Sequence, residues 1–424
     1  MHTEIPAVAG IPIEFFLFAA VLAGVALLHH HSLRVSLIGV ATITLYKLVF
    51  SSFRGHAGVD GLGQHLASEW VLVVNLLLLI VGFALLARHF EESRVPILLP
   101  RLLPDDWKGG FAMLVIVFVL SSFLDNIAAA LIGGTMATAI YRGRVHVGFL
   151  AAIVAASNAG GSGSVVGDTT TTMMWIDGVS PQQVIDAYAA AVPALLFFGI
   201  IASRQQHAYQ PITKEAPLGV TAVWRHLFVV AAMLAAAIVA NVVGQLHHGS
   251  VLDRIPAIGI AVWLALLLAA PSVPPDWSVL PSATRGGIFL VGLVLCASMM
   301  PVEALPAASW PVTLGLGFVS AVFDNIPLTA LALRQGGYDW GFVAYAVGFG
   351  GSMIWFGSSA GVALASQFPE ARSTQAWITG GWHVAVGYVL GFFVLLSVVG
   401  WTPDRDHKAK VLVPRATTSL PRAA

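Results

Sequence analysis

The sequence predicts an all-α polytopic membrane protein, and three observations carry that prediction. Hydrophobic residues make up 57% of the 424 and charged residues only 10%, where a soluble domain carries roughly 25% charge. Mean hydropathy is +0.84. Apolar stretches recur along the whole chain, many of them near the roughly 20 residues needed to cross a hydrocarbon core. The expected partner is therefore the lipid bilayer. Formal net charge is zero, which gives no footing to a nucleic-acid partner. The single cysteine, Cys296, excludes an intrachain disulfide and reads as a small apolar packing residue.

The N-terminus carries Glu4 and Glu14 and lacks the basic start of a cleavable signal. Residues 11–28 thus read as a retained first membrane helix, with His29, His30 and His31 at its interfacial end. Continuous spans follow at 35–53, 70–90, 184–203, 227–245, 257–270, 286–302 and 377–399. Two stretches, 145–177 and 341–367, are apolar at both ends and rich in glycine and serine between. Each reads as an interrupted helix, two half-helices joined by unwound chain. Segments 111–141 and 310–333 place SSFLDN and SAVFDN between apolar arms. The arm 326–333 covers only about 12 Å at 1.5 Å per residue, well short of a core about 30 Å thick. Both segments are therefore predicted to be re-entrant hairpins, a form tolerated where protein or water satisfies the backbone. From Thr402 the tail is polar, basic and proline-containing, which predicts disorder.

The chain contains an internal duplication. SSFLDNI (121–127) matches SAVFDNI (320–326), and GGSGSVVGDT (160–169) matches GGSMIWFGSS (350–359). Gly160/Gly350, Gly161/Gly351, Ser162/Ser352 and Gly167/Gly357 are identical in register. Five crossings separate the two hairpins, and an odd number puts them on opposite faces, so the repeats are predicted to be inverted. The domain reading is N-terminal helices at 1–68, a first repeat at 69–203, linking and scaffold helices at 204–283, a second repeat at 284–400 and a tail at 401–424. Arg34, Arg88, Arg94, Lys108, Arg142 and Arg144 collect on one face with further basic residues, and that face reads as cytoplasmic. Both termini then lie outside, an assignment that the basic tail opposes.

Ionisable residues at bilayer depth are costly and mark function. Asp125 and Asp324 fall at the hairpin tips, each followed by an asparagine, Asn126 and Asn325. Asp168 falls in the first break, between Gly167 and Thr169–Thr172. Glycines permit the unwound turn, freed carbonyls and Ser, Thr and Asn side chains supply oxygen, and a carboxylate adds charge. Such a cage suits a small hard cation such as Na⁺. Burial favours the protonated carboxyl and a bound cation the ionised one, so a site of this kind trades one for the other: cation/proton antiport, with no covalent chemistry and no cofactor. Plainer roles suit the same residues. The Asp-Asn pairs can cap helices, the glycines can serve close helix packing, and the threonines can cap or line the second half-helix. Lys47 and Glu303 suit interfacial positions, His383 suits polar packing, and the tryptophans suit interface anchoring. An intramembrane aspartyl protease also uses two buried aspartates, but its Gly-x-Gly-Asp motif is not met by Val165-Val166-Gly167-Asp168.

NAGGSGSVVGDTTTTMMWI (158–176), SSFLDN (121–126), SAVFDNIPL (320–328) and GGSMIWFGSSAGV (350–362) together resemble the NhaD-type sodium/proton antiporters. These belong to the ion transporter superfamily, which also holds the citrate, dicarboxylate and arsenite carriers. The resemblance covers roughly 70–400. It implies an inverted-repeat ion transporter fold with two re-entrant hairpins and two interrupted helices, a homodimer moving by an elevator-like shift, and a bacterial inner membrane location. It implies Na⁺ or Li⁺ exchange for H⁺, with the ion or proton held by Asp125, Asn126, Asn158, Asp168, Thr169, Thr170, Asp324, Asn325, Ser352 and Ser358. A Na⁺ site would draw on Asp125, Asp168 and Asp324, with Gly160, Gly161, Gly167, Gly350, Gly351 and Gly357 as the unwound hinges. Two departures bear on ion selectivity: Val165 stands where the family has proline, and Ala128–Ala130 where it tends to have threonines. The alternative on the same scaffold is a cation-coupled citrate or dicarboxylate symporter, since helix N-termini and hydroxyls also bind carboxylates.

Overall fold

The structure, a computed structural model, describes residues 7–8, 10–28, 31–53, 56–98, 103–213, 220–246 and 254–404. Glu4, His29, His30, Arg101 and the tail from 405 lie outside the described residues. A short antiparallel ladder (β1 Ala7–Val8, β2 Ile11–Pro12) leads into helices. The first are α1 Ile13–Leu27, α2 Ser32–Phe50, α3 Gly58–Glu92 and the single turn α4 Val95–Leu98. Next come α5 Trp107–Ser121, α6 Asn126–Tyr141, α7 Val147–Ser162, α8 Thr169–Ile176 and α9 Pro181–Ile185. The middle of the chain forms α10 Tyr188–Tyr209, α11 Trp224–Leu246, α12 Ala257–Ala269 and α13 Leu280–Ser298. It ends with α14 Trp310–Ser320, α15 Asn325–Gln335, α16 Trp340–Gly350, α17 Ser359–Gln367, α18 Thr374–Gly380 and α19 Trp382–Val398.

Five helical stretches among the described residues are long and apolar enough to cross a membrane: Ser32–Phe50, Gly58–Glu92, Pro181–Tyr209, Trp224–Val243 and Trp277–Ser298. Their outer faces are apolar and bare: Leu268 is 80% exposed, Phe228 71% and Val49 69%. Apolar side chains held out at that level, element after element, require lipid around them. The chain is an integral membrane protein.

Two spans differ from the sequence reading. The apolar stretch 377–399 is not one helix: it bends by 58° between α18 and α19, at Gly381. Helix α3 begins at Gly58, twelve residues before its apolar part. At 1.5 Å per residue it is about 52 Å long, more than a bilayer core, so its polar first turns extend past the core. Lys47 is also a correction. It does not snorkel but is buried, donating to the Met299 carbonyl at 2.9 Å, with the Phe53 ring 5.5 Å from its Nζ. Trp175, Trp340 and Trp377 are buried in the core rather than anchored at an interface, whereas Trp224, Trp277 and Trp382 are exposed. Glu303 is exposed, Cys296 is free and buried, and His383 is buried against Gln205 at 3.2 Å.

The helices pack in two groups. In one, α2 and α3 flank α13, α1 lies on α2, and α11 and α12 lie on α3. In the other, α7 and α16 are the centre. Gly148 through Ser162 are all buried, as is the whole of α16, and a helix apolar all round belongs in an interior. Helix α5 packs on α7, α14 on α16, and α10 between α7 and α19. The halves then interlock: α6 packs on α17, and α8 on α15.

Close backbone approach fixes these contacts in matched pairs. A Cβ on Gly160 would overlap the Phe118 carbonyl, and one on Gly350 the Gly317 carbonyl. A Cβ on Gly167 would overlap the Ser121 carbonyl, and one on Gly357 the Ala321 carbonyl. Gly160, Gly161 and Gly350 therefore lie inside their helices, not in unwound chain, and serve packing. Gly167, Gly351 and Gly357 do lie in the breaks. Gly160→Ala is expected to cost about 1–3 kcal/mol by forcing α5 from α7. Gly315→Ala, on α14 with open space around it, is expected to be neutral or slightly stabilising. Melting curves of the purified variants decide; equal melting temperatures would remove the packing argument.

Candidate functional site

Four helix N-termini meet where the halves interlock. Asp125 precedes α6, Asp168 precedes α8, Asp324 precedes α15 and Ser358 precedes α17. Short polar side chains at these positions accept hydrogen bonds from the exposed amides of the first turn. Asp168 Oδ1 accepts from Thr170 N at 3.1 Å, Asp324 Oδ1 from Ile326 N at 3.0 Å, and Ser358 Oγ from Gly361 N at 3.2 Å. The capping role is thus real for Asp168 and Asp324, but it occupies one oxygen of each.

The second oxygens are what set the site apart. Asp324 Oδ2 accepts from Ser359 Oγ at 3.3 Å. Asp168 Oδ2 is buried, and it makes no hydrogen bond of good geometry among the described residues; the same holds for Thr170 Oγ1. The backbone of α16 at Gly348 flanks that oxygen, since a Cβ there would stand 3.4 Å from it. Asp125 and Asp324 both lie within electrostatic reach of Asp168. Asp125 and Asp324 are partly open where Asp168 is buried.

A chain of amides and hydroxyls ties the two halves together. Asn126 Nδ2 donates to Asn158 Oδ1 at 3.1 Å, and Asn158 Nδ2 donates to Ser352 Oγ at 2.9 Å and Ser358 Oγ at 3.1 Å. All four are buried. Asn325 is buried at the start of α15, its carbonyl accepting from Thr329 at 3.1 Å, outside this chain. The threonine run divides. Thr171 and Thr172 turn back onto the Asp168 carbonyl at 2.9 and 2.8 Å and onto Ser164 and Val165, fastening the unwound loop. Thr169 faces a cavity.

That cavity, of about 650 Å³, is lined by Asp125, Asp168, Thr169, Thr172 and Ser359, and also by Arg88, Glu91 and Asp276. A second, of about 240 Å³, is lined by Asp324, Ser358 and Ser359. They share Ile127, Phe289 and Ser359 as a common wall. In the first cavity Arg88 bonds Asp276 at 2.9 Å and Glu91 at 3.2 Å. Hydrogen bonds from Ser278, and then from Arg88, hold the Asp276 carboxyl below the usual carboxylate range, which keeps this end of the cavity charged.

Ser359 was not among the residues the sequence singled out, although the repeat held the sign. The register that pairs Gly167 with Gly357 pairs Asp168 with Ser358 and Thr169 with Ser359, and Thr169 and Ser359 line the same cavity. Arg88, Glu91 and Asp276 were missed for another reason: nothing local in the sequence brings the end of α3 to the loop before α13.

Fold and site together define a class, a polytopic helical membrane protein with carboxylates and hydroxyls gathered between two interlocked halves. No family model matches the chain. Over 407 residues it is 25% identical to the Na(+)/H(+) antiporter NhaD of Halomonas elongata, covering 81% of this chain and 79% of that protein. It is 26% identical to sodium/proton antiporter 2 of Arabidopsis thaliana over 335 residues, 67% of this chain and 73% of that one. Sodium/proton antiporter 1 of the same plant is also 26% identical, over 306 residues, 61% of this chain; the match spans about half of that relative, 49%. All three are antiporters by name. The chain is similar to NhaD-type antiporters over most of its length, as its motifs lead one to expect.

Proposed function

We propose that the chain exchanges Na⁺ or Li⁺ for protons across a membrane by alternating access. The observation that carries this reading is Asp168, whose second oxygen is buried with no hydrogen bond of good geometry among the described residues, beside two further carboxylates. An unpaired buried charge is costly, and either a proton or a small cation relieves it. A group that must hold one or the other, and sits against a cavity, is the chemical core of an exchanger. Asp125, Thr169 and Ser359 offer further oxygen ligands on the same wall, and oxygen donors suit a hard cation. The names of the three relatives support the same assignment.

The fold reading extends to two inverted repeats, with re-entrant hairpins at α5–α6 and α14–α15 and interrupted helices at α7–α8 and α16–α17. Its support is the matched glycine approaches, the equivalent N-terminal positions of Asp125 and Asp324, and the reciprocal packing of α6 on α17 and α8 on α15. The two packing groups supply the fixed and moving partners that an elevator-like shift in a dimer needs. A citrate or dicarboxylate substrate would meet repulsion from Asp125, Asp168 and Asp324, so the cation reading is preferred.

The test is dye-quench flux in proteoliposomes carrying an imposed proton gradient. Na⁺ or Li⁺ is expected to dissipate the gradient at alkaline pH. Failure of both ions across pH 7 to about 9.5, where buried carboxyls and their competing cations exchange, ends this proposal.

A further inference from the structure

We propose that the junction of α3 and α11 is a binding site for a transition-metal dication, Zn²⁺ in the first instance. Its ligands are His89 and Glu92, one turn apart on α3, and His226 in the first turn of α11. Residues at this spacing share a helix face, and α11 packs on α3. One ligand atom from each of the three lies within 4.8 Å of the others. His89 Nδ1 and His226 Nδ1 stand 3.0 Å apart, and His226 Nδ1 stands 3.4 Å from Glu92 Oε2. Donor atoms about a tetrahedral zinc ion, each about 2.0–2.1 Å from the metal, are about 3.3 Å apart. Two of the three separations therefore match the spacing of a metal's first shell, and the third, His89 to Glu92, lies within 4.8 Å.

The donor chemistry agrees with this. Two imidazoles and one carboxylate form a set that suits Zn²⁺ and its neighbours rather than Mg²⁺ or Ca²⁺. Without a metal, two Nδ1 atoms facing each other require one to donate and the other to accept. Each bare nitrogen would otherwise present its lone pair to the other. A dication takes both lone pairs at once.

Glu92 is held in place from behind, its Oε1 standing 3.3 Å from Arg88 Nε, so Oε2 is left for the metal. His89 Nε2 is buried and has no hydrogen-bond partner among the described residues. Resident zinc sites as a rule give that nitrogen an acceptor, so this site belongs with exchangeable, regulatory ones. Its position suits that role. Arg88, which braces Glu92, also lines the cavity that holds Asp125 and Asp168, and a metal here would clamp α3 to α11 at the edge of that cavity.

The experiment is isothermal titration of ZnCl₂ into the full-length protein, purified in detergent without a polyhistidine tag, repeated with CoCl₂ for its visible absorption. The wild type is expected to bind one Zn²⁺ per chain with an accompanying rise in melting temperature, and Co²⁺ to give a ligand-field band. His89→Gln and His226→Gln are expected to lose that binding step, the band and the thermal shift, while keeping the melting temperature of the metal-free wild type. Glu92→Gln is expected to weaken the binding. The proposal is overturned if the wild type binds no Zn²⁺, or if both histidine variants give its isotherm, which would assign the metal to other histidines. Neither result bears on the exchange activity.

Discussion

Asp168→Asn is expected to reduce Na⁺- and Li⁺-dependent proton flux to the protein-free background while raising the melting temperature. Both halves of that result come from one geometry. Asparagine keeps the oxygen that accepts from Thr170 N, so the start of α8 stays capped. It replaces the buried Oδ2, which has no hydrogen bond of good geometry among the described residues, with a neutral amide nitrogen, which removes the charge whose burial the fold must otherwise offset. The Thr170 hydroxyl, within hydrogen-bond reach of this carboxyl, can accept from the new amide nitrogen, and the change is worth about 1–3 kcal/mol on the scale of unsatisfied buried polar groups. What is lost is the only thing an exchanger needs from this atom, the ability to alternate between a proton and a cation. Proteoliposome flux and thermal unfolding of the same preparation measure the pair. A variant that still exchanges would show that the Asp168 carboxylate is not the alternating group. A variant that loses both flux and stability would show that Asp168 is structural.

Asn158→Ala is expected to do the opposite to stability and the same to flux. Asn158 is the junction of three hydrogen bonds, one to Asn126 and two to the serines of the second break. Removing it strands the buried amide of Asn126 and takes the donor from Ser352 and Ser358. A single stranded buried group costs about 1–3 kcal/mol, so a loss of about 2–4 kcal/mol is expected, with the two halves no longer held in register. Asn158→Gln, which has the same donors one carbon further out, is expected to recover part of the stability and little of the flux. If Asn158→Ala melts with the wild type, the polar chain does not hold the site together.

The sequence was informative where chemistry is local. SSFLDN and SAVFDN read as hairpin tips whose Asp-Asn pairs can also cap helices, and the structure puts Asp125 and Asp324 immediately before α6 and α15. The glycine- and serine-rich middles announced breaks, which fall at 163–168 and 351–358. Composition alone announced lipid. It was less informative where the answer depends on a distant partner. Gly160 looked like a hinge because glycine weakens helices, yet the carbonyl of Phe118, on another helix, is what requires it. Lys47 looked interfacial because lysine usually is, yet the Met299 carbonyl, 252 residues away, receives it in the interior. The bend at Gly381 escapes the sequence reading because the stretch is apolar enough on average to read as one span, although the Gly380-Gly381 pair marks a weak point, and hydropathy does not register direction.

The buried helices α7, from Gly148 onward, and α16 carry a consequence for biogenesis. Neither presents a face to lipid, and α7 carries near its C-terminal end Asn158, whose two serine acceptors lie 194 and 200 residues downstream. While the ribosome is still making the second half, Asn158 has Asn126 to accept from but neither serine to donate to. Contacts of such sequence separation form late and slowly. The nascent first half must therefore wait, shielded by the insertion machinery or by its own outer helices, until α16 and the Ser352–Ser358 segment emerge. Assembly is therefore expected to be completed from the C-terminal half, and chain termination before Ser352 is expected to leave the Asn158 amide nitrogen without either of its serine acceptors.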